Sequence, residues 1–281
     1  MNCMPQPKMR PSVHLAPRYL LTLLFIFCSA CALTAEVVPL IRAHSHNDYE
    51  HEQPLIDALD AGFCSVEADV FAIGEELLVA HDRIDLDRSR TLEALYLKPL
   101  QLRIKERGGK VYDQGVPFYL MIDFKTQASS TYECLRRIIR PYHAMLTRVD
   151  AEGLHPGAVT LVISGNRPTQ LVGQETERWV FIDGRLEDME ANRLPASLVP
   201  WISENWTSHF KWNGQGAMPQ EEIQKLAAWL SKAHSQGRKV RFWATPETEA
   251  FWKLAWDQGL DFINTDQLKA LSKVLLAHQA P

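Results

Sequence analysis

Residues 63–71 read Phe-Cys-Ser-Val-Glu-Ala-Asp-Val-Phe, an apolar run that two carboxylates interrupt. A short apolar run of this length predicts a buried strand. Side chains two residues apart in a strand point to the same face, so Glu67 and Asp69 lie side by side. The run therefore predicts a buried strand that carries two acids on one face near its carboxyl end.

Seven further runs of this kind alternate with amphipathic helical stretches. The predicted strands are residues 37–43, 63–71, 117–124, 158–163, 178–182, 198–203, 239–244 and 261–264, with a short run at 76–80 that pairs locally after the second strand. Helices are predicted at about residues 53–61, 92–106, 130–146, 220–236, 247–258 and 267–277, and the connections after the fourth and fifth strands look short or irregular. Strands that alternate with helices run parallel, so eight of them predict an α/β fold, a single (β/α)8 barrel of the TIM type.

Polar residues stand at the predicted carboxyl ends of these strands. Residues 44–48 follow the first strand, Glu67 and Asp69 end the second, Asp123 and Lys125 end the third, Trp243 ends the seventh, and residues 265–266 follow the eighth. The functional residues of such barrels lie on that rim. We therefore expect these side chains to converge on one site.

The acids of the second and third strands form a candidate metal site. Like charges a few ångströms apart repel and raise each other's pKa. A divalent cation relieves the repulsion, and oxygen ligands favour Mg²⁺ or Ca²⁺. Asp123 ends the apolar run Tyr-Leu-Met-Ile-Asp-Phe-Lys and adds a third carboxylate to Glu67 and Asp69. A strand end with solvated acids is the alternative interpretation.

The same rim offers a lysine and several histidines. Lys125 shares a face with Asp123 and would neutralise a phosphate oxygen or form a structural ion pair. His81 stands next to Asp82, which gives it a route to a raised pKa or a fixed tautomer suited to proton transfer. Residues 44–48, His-Ser-His-Asn-Asp, are harder to explain structurally, because five consecutive small or polar groups end a buried strand.

Together these residues resemble the superfamily of glycerophosphodiester phosphodiesterases and phosphatidylinositol phospholipase C-like barrels. The similarity runs through Ala-His at 43–44, Val-Glu-Ala-Asp-Val at 66–70, Leu-Val-Ala-His-Asp at 78–82, Met-Ile-Asp-Phe-Lys at 121–125 and Gly-Leu-Asp-Phe-Ile-Asn-Thr-Asp at 259–266. The opening Ala-His-Ser-His-Asn-Asp-Tyr is most similar to the branch that contains the fungal altered inheritance of mitochondria protein 6. The resemblance covers nearly all of residues 36–281.

This resemblance implies a metal-dependent phosphoric diester hydrolase that acts on a lipid-derived or glycerol-type phosphodiester. The implied site residues are His44 and His81 for acid/base catalysis, Glu67, Asp69 and Asp123 for Mg²⁺ or Ca²⁺, and His46, Asn47, Lys125 and Trp243 for the substrate. One histidine would activate the attacking hydroxyl while the other protonates the leaving group.

Two departures from that superfamily concern the substrate. The usual His-Arg-Gly opening is replaced by His-Ser-His at residues 44–46, which removes an arginine able to hold phosphate through two parallel hydrogen bonds. The family's Pro-Glu-Asn-Thr ligand segment is absent, and Asn47, Glu50 or Glu52 would have to substitute for it. His46 is placed to take over part of the arginine's role.

Two other functions agree with parts of the pattern. His-x-His after a first barrel strand is also typical of amidohydrolases and polymerase-histidinol-phosphatase-like domains, which bind a transition metal with further histidines from middle strands. Here the fifth and sixth strands end in Phe-Ile-Asp-Gly and Ser-Glu-Asn-Trp, without a histidine. The other function is that of a catalytically weak or inactive barrel that binds a lipid headgroup or a phospho-ligand, with Trp201, Trp206 and Trp212 as recognition or core residues.

Residues 1–35 predict a targeting segment. Three basic residues precede the apolar run 19–27, and an Ala-x-Ala pattern ends at Ala32. The apolar run is shorter than the roughly 20 residues of a membrane span. We therefore expect a signal peptide at 1–35, a barrel at 36–281, and export to the periplasm or the extracellular space. Lipoprotein processing at Cys31 and an uncleaved signal anchor are the alternatives.

Composition limits the partners. All 34 Asp and Glu residues lie at or after Glu36, so the predicted barrel is more acidic than the net charge of −4. No basic stripe with interleaved aromatics stands out, which argues against nucleic-acid binding. We expect a small-molecule or lipid phosphodiester as substrate and a peripheral contact with a membrane, while the oligomeric state stays open. Cys64 and Cys134 fall in a strand and a helix and are predicted to be buried thiols.

Overall fold

The described part of the chain, residues 37–279 with residues 1, 2, 4 and 6, alternates strands and helices in the computed structural model. Its strands are β1 (Leu40–Ser45), β2 (Phe63–Ile73), β3 (Glu76–Val79), β4 (Phe118–Phe124), β5 (Arg148–Asp150), β6 (Gly153–His155), β7 (Val159–Gly165), β8 (Val180–Gly184), β9 (Trp201–Asn205), β10 (Lys239–Trp243) and β11 (Ile263–Thr265). Its α-helices are α1 (Ile56–Asp60), α2 (Lys98–Glu106), α3 (Ala128–Ile139), α4 (Thr169–Gly173), α5 (Leu186–Ala191), α6 (Trp206–His209), α7 (Gln220–Ser235), α8 (Glu249–Asp257) and α9 (Leu268–Gln279). Nearly all of the predicted leader, residues 1–35, lies outside the described residues.

Eight of these strands form one parallel sheet that curls into a barrel. Their order is β10-β9-β8-β7-β4-β2-β1-β11, and every neighbouring pair is parallel. At the seam, Phe262 pairs with Arg241 and donates its N–H to the carbonyl of Val240 at 3.2 Å. β3 is antiparallel to β2 and lies off this order, as the local pairing of residues 76–80 predicted. The predicted (β/α)8 barrel is confirmed.

The interior of the barrel changes from apolar to polar toward the carboxyl ends of the strands. A buried apolar cluster includes Met121 of β4, Val162 of β7 and Phe181 of β8. Two residues later, the same faces of these strands carry polar side chains: Asp123, Ser164 and Asp183. The apolar layer therefore forms the floor of any site at the rim.

The three tryptophans weighed as recognition residues belong to the core. Trp201, Trp206 and Trp212 are all buried. The Trp201 ring lies 4.4 Å from that of Phe262, and the Trp206 ring lies 4.1 Å from that of Phe210. These rings stabilise the barrel by packing and do not form an exposed binding surface.

Prolines explain where the element boundaries differ from prediction. Pro39 and Pro200 stand just before the first residues of β1 and β9, which begin later than predicted because proline has no N–H for the strand ladder. The helix predicted at 130–146 stops at Ile139, since Pro141 turns the chain into the 3₁₀ segment Arg140–Met145. The short connections expected after the fourth and fifth strands contain α4 and α5, and the hairpin of β5 and β6 was not predicted.

Cys64 and Cys134 are buried free thiols, which confirms their predicted state. Among the described residues, no helix combines the length and the apolar character that crossing a membrane requires.

Candidate active site

Three carboxylates converge at the carboxyl ends of β2 and β4. The parallel register sets Asp69 beside Asp123, and Glu67 lies two residues earlier on the same face of β2. One oxygen from each residue lies within 4.8 Å of the others. Gly165 of β7 makes room for this cluster, because its φ is 65° and a Cβ there would lie 2.4 Å from Oδ1 of Asp123. The structure thus brings the three predicted metal ligands together.

Two protein cations lie against these carboxylates. Nζ of Lys125 is 3.0 Å from Oδ2 of Asp69 and 3.0 Å from Oδ1 of Asp123. Nη2 of the buried Arg241, on β10, is 2.6 Å from Oε2 of Glu67. Although burial opposes ionisation, the charge of Arg241 holds the pKa of Glu67 well below its usual range. Lys125 therefore forms the ion pair with Asp123 that was the alternative to a role at a phosphate oxygen, and it also contacts Asp69.

Asp69 divides its contacts unevenly between its two carboxylate oxygens, because Oδ2 contacts Tyr49, His81 and Lys125. Burial, followed by the charge of Glu67, raises the pKa of Asp69 to about 6. Its Oδ1 is buried and has no hydrogen-bond partner among the described residues. A divalent cation would stabilise the ionised form of Asp69 and use the free oxygen. The residues present therefore fit Mg²⁺ or Ca²⁺.

His44 lies in the barrel interior and is fully buried. Its Nδ1 is 2.7 Å from Oγ of Ser65, and its Nε2 is 3.3 Å from Oε2 of Glu67. Burial, followed by the charge of Arg241, lowers the pKa of His44 to about 3. The ring is neutral near pH 7, and both of its nitrogens face protein atoms.

His46 lies at the rim, with 24% of its side chain exposed. Its Nδ1 is 2.8 Å from Oδ1 of Asp266, the residue that follows β11. Burial lowers the pKa of His46, but the hydrogen bond to Asp266 and the charge of Glu67 outweigh it and raise the pKa. Its Nε2 has no partner among the described residues, so one nitrogen is oriented by a carboxylate and the other is free.

His81 is the second histidine of the rim, with 54% of its side chain exposed. Its Nδ1 is 3.0 Å from the hydroxyl of Tyr49 and 3.4 Å from Oδ2 of Asp69. The same hydroxyl lies 2.7 Å from Oδ2 of Asp69 and 2.9 Å from Oδ1 of Asn47. Tyr49 therefore joins His81, Asp69 and Asn47, whereas no hydrogen bond or ion pair in the described part of the chain joins His81 to His44.

Asp48, whose role the sequence left open, holds the loop after β1 in place. It is fully buried, and burial raises the pKa of its carboxyl group. It accepts hydrogen bonds from the hydroxyls of Ser45 at 2.8 Å and Tyr96 at 3.0 Å, and from the N–H of Leu55 at 2.6 Å. The carboxylate fixes the loop that carries His46 and so has a structural function.

Trp243 lies on the opposite side of the rim, at the end of β10. The guanidinium carbon of Arg185, which follows β8, lies 5.0 Å from the centre of the Trp243 ring. Arg185 is held by Asp183, whose Oδ2 accepts a hydrogen bond from Nη1 at 2.7 Å. Trp243 therefore belongs to a pair with an arginine that the sequence did not single out.

Sequence reasoning missed Arg241, Tyr49 and Arg185. Arg241 carried a signal, because it lies two residues before Trp243 in a predicted barrel strand and so shares its interior face. Tyr49 directly follows the polar run 44–48. Arg185 had no comparable signal, since it stands in a loop beyond a strand end.

Comparisons with known proteins agree with this geometry. The AIM6-like phosphodiesterase domain matches residues 31–183. The chain belongs to the AIM6-like phosphodiesterase family. It is 31% identical to the altered inheritance of mitochondria protein 6 of Eremothecium gossypii, over 86% of this chain and 71% of that one. It is 33% identical to the protein of the same name from Lachancea thermotolerans, over 85% and 67% of the two chains.

A homologue from Arthroderma benhamiae is 27% identical over 85% of this chain and 84% of its own. Among solved structures, the glycerophosphodiester phosphodiesterase of Agrobacterium tumefaciens matches with a TM-score of 0.50 and 12% identity, over 84% of this chain and 99% of that one. At this identity the match supports the fold alone. The predicted superfamily and branch are confirmed.

The prediction of export is wrong. The relatives are fungal proteins named for altered inheritance of mitochondria, a name that does not agree with a periplasmic or extracellular protein. The segment on which the prediction rested lies almost wholly outside the described residues. Neither a secreted form nor lipoprotein anchoring at Cys31 is retained.

Proposed function

We propose that the chain is a metal-dependent phosphoric diester hydrolase. The observation that carries this proposal is the cluster of Glu67, Asp69 and Asp123, with oxygens within 4.8 Å of one another, below two rim histidines that each have a hydrogen-bonded Nδ1. Membership of the AIM6-like phosphodiesterase family supports the reaction class.

The three carboxylates would hold Mg²⁺ or Ca²⁺, which when bound polarises a phosphoryl oxygen and stabilises negative charge that develops on it. The free Oδ1 of Asp69 supports this assignment. Lys125 would contribute a second positive charge toward the phosphate, because its Nζ already lies at the junction of Asp69 and Asp123.

Proton transfer is best supplied by His46 and His81. Both rings are partly exposed, and each has one nitrogen oriented by a protein oxygen while the other is free. One would take the proton of the attacking hydroxyl and the other would protonate the leaving oxygen. His44, which the family resemblance favoured for this role, is enclosed between Ser65 and Glu67 and would instead orient Glu67.

The substrate is proposed to be a lipid-derived or glycerol-type phosphodiester that meets the rim at a membrane surface. Ile84 supports a peripheral contact, because it is 90% exposed in the turn Arg83–Asp85 that follows His81. Screening glycerophosphodiesters, lysophospholipids and phosphoinositides, free and in vesicles, tests the substrate class. An Ile84→Asp variant should lose activity on vesicles only.

The reaction class is tested with a chromogenic phosphodiester, bis(p-nitrophenyl) phosphate. Hydrolysis should require Mg²⁺ or Ca²⁺, stop with EDTA, and fall at least about a hundredfold in Asp69→Asn and Glu67→Gln. Arg136→Gln, an exposed variant on α3, serves as the matched control. Turnover that persists in EDTA, or in both carboxylate variants, would contradict the proposal.

One observation favours a second function, that of a barrel which binds a phospho-ligand without hydrolysing it. Lys125 already pairs with two of the three carboxylates, which stabilises the cluster without a metal. This alternative would be supported if the protein bound a phospho-ligand but did not hydrolyse it in the presence of Mg²⁺, Ca²⁺ or Mn²⁺. A transition-metal site of the His-x-His type gains no support, since β8 and β9 end in Asp183-Gly184 and Glu204-Asn205.

A further inference from the structure

In the described part of the chain, the carboxyl end of β1 carries no guanidinium group. The residue after His44 is Ser45, which is fully buried and donates its hydroxyl to Asp48 at 2.8 Å. Nothing at this end of β1 therefore offers two parallel N–H groups to a phosphate. The rim carries such a group elsewhere, on Arg185 after β8.

Four hydrogen bonds and one ring contact fix Arg185, and one of these bonds runs from Nη1 to the carbonyl of Asp183 at 3.4 Å. Its Nη1 donates to Oδ2 of Asp183 at 2.7 Å and to the carbonyl of Gly184 at 2.9 Å, and its Nη2 donates to Oγ of Ser164 at 3.2 Å. Its guanidinium also lies over the ring of Trp243. A side chain held in this way loses little conformational freedom when it binds a ligand.

One edge of this guanidinium is free. Among the described residues, Nη2 has one acceptor for its two N–H groups, and Nε has none. Nε and Nη2 form the side edge of the group, whose parallel N–H bonds match two oxygens of a phosphate. The side chain is 19% exposed, and its unpartnered Nε is not among the buried polar atoms, so this end of the edge is accessible to a ligand.

The strand register connects Arg185 with the carboxylates. Asp69 pairs with Asp123, and Asp123 pairs with Ser164, the residue that Arg185 contacts. Arg185 therefore lies next to the strand that borders the carboxylate cluster.

We propose that Arg185 binds the non-bridging oxygens of the phosphodiester. The inference rests on the proposed function for the identity of the anion. Asp183, Ser164 and Trp243 act as positioning residues, because they touch Arg185 and fix its orientation. The ligand class is a phosphate ester whose non-bridging oxygens can accept both N–H groups.

The test measures binding of inorganic phosphate by calorimetry, in EDTA-treated protein and again with Mg²⁺. Loss of charge-assisted hydrogen bonds in Arg185→Gln should weaken binding about ten- to a hundredfold, with a smaller loss in Arg185→Lys. Arg107→Gln is the matched control: Arg107 forms an exposed ion pair with Asp113 after the end of α2 and should leave phosphate affinity unchanged.

Removing Arg185 leaves the buried Asp183 without its cation, so the double variant Asp183→Asn/Arg185→Gln is measured beside the single one. Equal phosphate affinity in wild type and in a folded Arg185→Gln or double variant overturns the inference, as does an absence of phosphate binding to wild type. Turnover of bis(p-nitrophenyl) phosphate is followed on the same samples. Arg185-dependent phosphate binding without turnover would contradict the hydrolase proposal and leave the Arg185 site standing.

Discussion

The two sides of the barrel rim differ in their charged side chains and in how clearly the sequence indicates them. The carboxylate side consists of Glu67, Asp69 and Asp123 on β2 and β4, which are neighbours in the sheet. The arginine side consists of Arg185 and Arg241, after β8 and on β10. Only the structure showed that these two arginines lie at the site. The carboxylate side follows from a strand motif, whereas the arginine side depends on where the barrel closes.

The two sides also depend on each other. Arg241 reaches Glu67 across 174 residues of sequence, and the ion pair is buried. Glu67 in turn contacts His44, so one interior chain of polar groups links the two sides. The comparison teaches that the acidic cluster keeps its charge because an arginine from a distant strand neutralises part of it. Four predictions test this dependence.

The largest expected effect concerns the histidines of the carboxylate side. His46→Ala and His81→Ala should each lower kcat on a phosphodiester about 10²- to 10⁴-fold, because each removes a proton-transfer group. His44→Gln should lower kcat far less, since its ring is enclosed. Steady-state kinetics on folded variants measures this. A loss in His44→Gln as large as in the rim variants would return the acid/base role to His44.

The next effect concerns the link between the two sides. Arg241→Gln should lower the free energy of unfolding by about 3–5 kcal/mol, because it leaves the carboxylate of Glu67 buried without a cation. The double variant Glu67→Gln/Arg241→Gln should recover much of that loss. Urea unfolding measures both, with Arg107→Gln as the exposed-pair control at about 1 kcal/mol or less. Equal losses in the single and double variants would show that the pair is not coupled.

A smaller effect concerns the pH dependence of stability. His44 has its pKa lowered to about 3 in the folded chain, against 6.5 for an ordinary histidine. Between pH 3 and pH 6.5 the His44 ring takes up a proton in the unfolded chain but not in the folded chain. The free energy of unfolding therefore falls as the pH drops below 6.5, by roughly 1.4 kcal/mol per pH unit from this residue. His44→Gln should reduce that slope relative to wild type. Identical slopes in wild type and His44→Gln would contradict the burial of a neutral ring.

The smallest effect lies on the arginine side. Trp243→Leu should lower the free energy of unfolding by about 0.5–2 kcal/mol, because it removes the ring under Arg185. Trp243→Phe keeps an aromatic face and should lose less. Thermal unfolding of both variants measures the difference. A loss in Trp243→Phe equal to that in Trp243→Leu would mean that packing, and not the cation–ring contact, determines the effect.

Much of the fold was predictable because its signal is local. The strand that contains Glu67 and Asp69 was predicted within two residues, since an apolar run of that length has few alternatives. Boundaries failed where proline or a short loop changed the start of an element, as at Trp201 and Ile263. The prediction of export rested on residues 1–35 alone and does not agree with the names of the relatives.

The candidate site was predictable only in part. The carboxylates and His81 were found because same-face spacing and strand ends are visible in sequence. The sequence did not show which histidine faces solvent, because His44 and His46 lie on the same side of the first strand and differ only in depth. Arg241 and Arg185 were missed because an arginine in a late strand or loop has many ordinary structural roles.

The sequence by itself determined the alternation of strands and helices, and with it the barrel and the acidic edge of β2 and β4. These follow from periodicity, which needs only neighbouring residues. The tertiary structure decided which cations meet those acids and which histidine reaches the rim. Those contacts join strands far apart in the chain, so their partners are set by the register and closure of the barrel and not by local spacing.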